Sequence, residues 1–139
     1  MKTLLILAFA LSSMAYAADE EVYIYGRGAG GSQRAEYYVS ARVLESLKTV
    51  VPSDKSTIPD LASVIEAAML YAKEEYKGVK NIELDNVFMQ RIWYQEKKTD
   101  KCFFLIRVNN KDTQKPLDEL LVLSDGQVVK PRFVRRFER

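Results

Sequence analysis

Hydrophobic residues are spaced in three ways along these 139 residues, and each spacing predicts a different element. Leu4 to Leu11 is an apolar run with a positive start at Lys2. From Tyr37 the period becomes helical: Tyr37, Ala41, Leu44, Leu47 and Val51 recur at steps of four and three. Ser32 can cap this first helix through its hydroxyl, and Pro52 ends it because proline lacks an N–H. A second helix follows. Thr57-Ile58-Pro59-Asp60 reads as a capping box with proline in the first turn, and Leu61, Val64, Ile65, Ala68 and Ala72 form the stripe to be buried. Lys73 and Lys77 suit the negative end of the helix dipole, and Gly78 suits a left-handed cap.

From Ile82 onward the period falls to two. Val87–Gln95, Lys101–Val108, Leu117–Leu123 and Gln127–Phe133 read as four strands. Their connections are a charged loop at Gln95–Asp100, a polar loop at Asn109–Pro116 and a type I′ hairpin at Asp125-Gly126. Pro131 marks the last strand as an edge or an ending. Val22–Tyr25 reads as a short strand in front of a loop, Gly26–Ser32. Helices first and strands afterwards predict an α+β fold, with two N-terminal helices packed on a four-stranded antiparallel β-meander. The organisation expected is a signal peptide over 1–17, an N-terminal arm over 18–32, and a single domain over 33–139 with a tail at 130–139.

Two features set the compartment. The apolar run closes on Ala15-Tyr16-Ala17, a small-x-small cleavage signature, so residues 1–17 read as a secretory signal cut after Ala17. The protein is therefore expected to be exported, periplasmic or secreted. No later stretch approaches the roughly 20 apolar residues of a membrane-spanning helix. An apolar share of 47% beside 29% charged residues is ordinary for a folded domain, which excludes a disordered chain.

The element order from Leu61 to Val129 loosely resembles the cystatin-like arrangement of a helix followed by strands. That family inhibits proteases through Gln-x-Val-x-Gly in the first hairpin after the helix. Here that hairpin reads Gln95-Glu96-Lys97-Lys98-Thr99-Asp100. Gln127-Val128-Val129-Lys130-Pro131 matches in part, but it lies on another strand and lacks the glycine, so inhibition is not carried over.

The absence of histidine removes serine–histidine and cysteine–histidine catalysis and histidine-bearing zinc sites. Cys102, the only cysteine, alternates with Phe104, Ile106 and Val108 and reads as a small buried apolar residue. Gly26-Arg27-Gly28-Ala29-Gly30-Gly31 matches Gly-x-Gly-x-x-Gly, but a dinucleotide domain needs several βαβ units, so the stretch reads as a loop. Glu83 and Asp85, and Glu74-Glu75, read as solvated surface. No catalytic residue, cofactor or metal ligand is expected.

What remains is surface. Trp93-Tyr94 sits mid-strand, so one ring points to each face, and both residue types anchor interfaces. The tail places Lys130, Arg132, Arg135, Arg136 and Arg139 around Phe133 and Phe137, on a chain whose net charge is only +2. The expectation is a non-enzymatic exported domain that binds another envelope or secreted protein, of inhibitor, immunity or accessory type. Its contacts would be Trp93, Tyr94, Arg132, Phe133, Arg135 and Arg136. The tail could also touch an anionic surface, and neither nucleic acid nor a transmembrane segment is expected. The alternative is a small-molecule or lipid carrier with a pocket of roughly 300 Å³ or more lined by Phe88, Ile92, Phe104 and Leu121.

Overall fold

The computed structural model describes residues 20–135; residues 1–19, which include the expected signal peptide over 1–17, and residues 136–139, which include Arg136, lie outside them. The elements in order are β1 (Glu21–Gly28), β2 (Gln33–Ser40), α1 (Ala41–Ser46), a 3-10 turn (Lys55–Thr57), α2 (Leu61–Glu75), β3 (Ile82–Tyr94), β4 (Lys97–Asn110), β5 (Pro116–Leu123), β6 (Val128–Val129) and β7 (Arg132–Arg135).

β4 organises the molecule because it is apolar on both faces. Cys102 to Ile106 are all buried. A strand of that kind must be covered from both sides. Cys102, Phe104, Ile106 and Val108, with Leu120 and Val122 of β5, pack against Val64, Ala68 and Ala72 of α2. Phe103 and Leu105, with Leu121 and Leu123 of β5, point the other way. There they meet Val22 and Ile24 of β1, Ala35, Tyr37 and Val39 of β2, and Ala41, Leu44 and Leu47. The result is three layers: a helix, a four-stranded sheet in the order β3-β4-β5-β6, and a three-stranded sheet in the order β1-β2-β7. All strand pairs are antiparallel.

This architecture overturns the two-helix meander, and the cystatin-like order falls with it, because the meander carries a second sheet on its far face. The first predicted helix is mostly strand. Ala35, Tyr37 and Val39 are buried at period two and pair with β1, so β2 occupies its first half. Helix begins only at Ala41, where the Ser40 hydroxyl accepts from the Val43 N–H at 3.1 Å, and it lasts six residues. Val22–Tyr25 belongs to a full strand, β1, hydrogen-bonded to β2. The predicted fourth strand splits at Pro131: β6 ends the four-stranded sheet, and β7 crosses to pair with β2.

Smaller corrections have local causes. α2 is capped by Asp60 rather than Thr57, its carboxylate accepting from the Ala62 N–H at 3.1 Å. Leu61 stays 45% exposed, outside the buried stripe. Gly78 does not take a left-handed conformation, and Tyr76 caps the helix instead. The expected loop over 95–100 shrinks to a two-residue turn, Gln95 and Glu96 at φ 50° and 60°, with β4 resuming at Lys97. At the β5–β6 hairpin Gly126 alone is left-handed, at φ 89°, and its N–H donates to the Leu123 carbonyl. That is a three-residue loop with a glycine bulge, not type I′.

Candidate functional site

Three surfaces gather the polar and aromatic residues not consumed by the core. The first is a seam where all three layers meet. The Arg27 guanidinium of β1 donates to Asp118 Oδ1 and to the Tyr37 hydroxyl, each at 3.2 Å. The Tyr25 hydroxyl donates to Glu119 Oε1 at 3.1 Å, and Arg107 Nε donates to Glu119 Oε2 at 2.7 Å. Tyr76, just past α2, donates its hydroxyl to Asp118 Oδ2 at 2.6 Å. Burial, then the hydrogen bond to Asp118, pushes the Tyr76 hydroxyl well above the usual tyrosine range. Burial also raises Tyr25 and Tyr37. A cleft of about 420 Å³ opens beside these groups, lined by Arg27, Asp85, Arg107, Asp118 and Glu119 among others. Both acids on β5 are already matched by arginines, so the seam latches the layers together.

The second surface is the outer face of the three-stranded sheet. Arg34 donates to the Tyr23 hydroxyl at 2.7 Å, and Tyr23 and Tyr38 meet edge to face with centroids 5.7 Å apart. Their crossing fills the space over Gly26, where a Cβ would force the ends of the Tyr23 and Arg34 side chains to shift. Arg132 lies 4.7 Å over the Tyr38 ring and pairs with Glu21. Its charge is therefore engaged within the fold. The glycine-rich stretch joins β1 to β2 rather than a strand to a helix, so it builds no phosphate-binding helix terminus.

The third surface is the outer edge of β3. Among the described residues this strand pairs only with β4; it runs for 13 residues and is mostly exposed. It carries Leu84 and Phe88 at 39% exposure, Met89 at 50% and Trp93 at 59%. Arg107 sits over the Phe88 ring at 5.2 Å from its centroid.

The expected contact residues are divided among these places. Trp93 is exposed at the end of β3, while Tyr94 packs partly against the Ile92 side of the core. Arg132, Phe133 and Arg135 lie on β7 in the other sheet, with Phe133 at 61% exposure; Arg136 is outside the described residues. The four residues drawn as a carrier pocket do not converge. Phe104 faces α2, Ile92 and Leu121 face the opposite layer, and Phe88 is on the edge. Cys102 is buried as expected, 1% exposed, and burial raises its thiol pKa.

Sequence reasoning missed Leu84 and Met89 as surface residues. The available signal was the stretch Asn86–Gln90, which holds no charge and no proline, in the first strand of a meander. A larger cleft, about 490 Å³, lies between residues 46–60 and the 124–125 turn; of its two carboxylates, Asp60 is committed to the α2 cap and Asp125 accepts from the Gln127 N–H. Among the described residues no group of three acidic or cysteine side chains could hold a metal, and no helix is long and apolar enough to cross a membrane. Comparison with protein-family models, with curated proteins and with solved structures finds no match.

Proposed function

We propose that the chain is a small exported protein-binding domain and that the outer edge of β3 is its principal contact surface. One observation carries the reading: a long strand with an open hydrogen-bonding edge presents Phe88, Met89 and Trp93 to solvent. Soluble proteins normally protect such edges with charge, proline or brevity. An extended partner segment that adds a strand gains main-chain hydrogen bonds along the edge, and the exposed side chains supply selectivity. Phe133, flanked by Arg132 and Arg135 on β7, is a secondary contact on the other sheet. Export fits the same reading, since the residues that carry it, 1–17, precede a domain built around contacts rather than chemistry.

The test compares the immobilised full chain with Met89→Lys and Trp93→Ala in retaining proteins from an envelope extract at high salt. The expected result is a set of proteins held by the unaltered chain and lost from both variants, with far-UV circular dichroism unchanged. Equal retention by all three overturns the assignment to β3. Arg132→Glu with Arg135→Glu is expected to weaken only low-salt retention.

A further inference from the structure

We infer that the end of the molecule carrying the β3–β4 hairpin rests on an anionic phospholipid bilayer, with Trp93 seated at the interface. The inference does not depend on the β3 edge: it concerns the end of the sheet and a lipid surface. The β3–β4 and β5–β6 turns lie at one end of the four-stranded sheet, because its strands alternate in direction. The segment between α1 and α2 is tied to that end. Its Val50 N–H donates to the Asp100 carbonyl at 2.7 Å, and its Leu47 carbonyl accepts from the Lys101 ammonium. The 490 Å³ cleft is shared by this segment and the 124–125 turn. The start of α2 lies there too. Tyr76, past its other terminus, reaches Asp118, which pairs with Val108 at the far end of the sheet.

Exposed apolar side chains from three elements collect on this end: Val51 and Ile58 from the segment, Leu61 from α2 and Trp93 from β3. Of the four, Ile58 alone lines the cleft, so they share no pocket shaped for a partner's side chain. A bilayer interface takes separate apolar side chains without a matched pocket. Cations surround them. The hairpin holds Arg91, Lys97, Lys98 and Lys101 against Glu96 and Asp100. Trp93 lies directly opposite Lys98, and Arg91, two residues earlier, opposes Cys102 on the same side of the sheet. Tyr94, opposite Lys97, packs toward the other core. Among the described residues Lys48, Lys55, Arg91, Lys97 and Lys98 make no salt bridge. Asp54, Asp60 and Asp125 of the same end are turned onto backbone N–H groups of their own turns and cap. Lysine stems lie along apolar surface while their ammonium groups reach phosphates, and tryptophan favours the headgroup level. In the tail, by contrast, Arg132 is already held by Glu21 and the Tyr38 ring.

Trp93 is the only tryptophan, so its fluorescence reads this contact alone. The full chain is titrated with vesicles of phosphatidylcholine and phosphatidylglycerol in equal parts, some acyl chains brominated. The expected result is a blue shift of Trp93 emission and quenching by bromine, both lost on phosphatidylcholine alone and weakened at high salt. Lys97→Glu with Lys98→Glu is expected to raise the lipid needed for half-quenching at least about tenfold. Ile58→Glu is expected to raise it several-fold, because Ile58 meets the same surface from another element. Far-UV circular dichroism is expected to stay unchanged in both. The apolar run in residues 1–17 is common to all three chains, so differences among them belong to this end. Trp93 emission that no vesicle alters overturns the proposal, as does equal quenching by both lipid compositions or by the double variant. A blue shift with polyglutamate and none with vesicles assigns this end to an acidic protein and overturns it equally. Either failure leaves the β3 reading standing, since Met89→Lys tests that reading by retained proteins alone.

Discussion

β3 and β4 are neighbouring strands of 13 and 14 residues, bonded to each other along most of their length, with opposite fates. β4 is paired on both edges and covered on both faces, so Cys102 to Ile106 are buried without interruption. β3 has one pairing edge and little cover, and only Ile92 along it is buried. Both strands are rich in β-formers, so composition does not separate them. Position in the sheet does: burial belongs to the strand order, and propensity only permits it.

The difference can be broken first at its buried end. Ile106 is fully buried beneath α2, and Ile106→Ala is expected to cost about 3 kcal/mol in urea unfolding, from lost transfer energy and the cavity left behind. A loss under about 1 kcal/mol would mean that α2 collapses onto β4 to fill the gap.

The seam gives an intermediate effect. Tyr76→Phe removes the hydroxyl that reaches Asp118 and is expected to cost about 1 kcal/mol near neutral pH. It should also change the alkaline limb. A tyrosine whose folded pKa is raised above 10 holds its proton more firmly in the folded state than in the unfolded state. Its stabilisation is fully present below about pH 10 and is lost as pH climbs toward the raised value. Urea midpoints measured from pH 8 upward should therefore fall less steeply for Tyr76→Phe than for the unaltered chain. Parallel slopes would show that Tyr25 and Tyr37, raised by the same burial, dominate the limb.

The exposed end yields the smallest change. Met89→Ala is expected to shift stability by no more than about 0.5 kcal/mol, because the side chain is half in solvent already. A larger loss would mean that Met89 supports the β4 layer rather than waiting for a partner.

Much of the four-stranded sheet was legible in the chain. The β4 and β5 segments, the buried Cys102 and the α2 stripe at Val64, Ala68 and Ala72 all follow from local period. The three-stranded sheet was not. Tyr37, Ala41 and Leu44 satisfy a helical step, and the rival alternation of Ala35, Tyr37 and Val39 gains its meaning only from pairing with β1 and with β7, about a hundred residues away. The passage of the chain from β6 to β7 across Pro131 is equally non-local. The exposed apolar face of β3 was half visible: Trp93 stood out as an aromatic, but exposure of Leu84 and Met89 depends on β3 being outermost. The seam was invisible, since Arg27, Tyr76 and Asp118 come from separate elements.

The pairing of β7 with β2 also sets a timetable for folding. Arg132 meets Glu36 and Glu21 only once β7 has been made, so the second layer cannot be completed while the ribosome still holds that strand. Until then, the hydrogen-bonding edge of β2 stands open beside a half-covered core. Contacts this distant in sequence make for slow closure. The three-stranded sheet is therefore the layer whose clasp forms last.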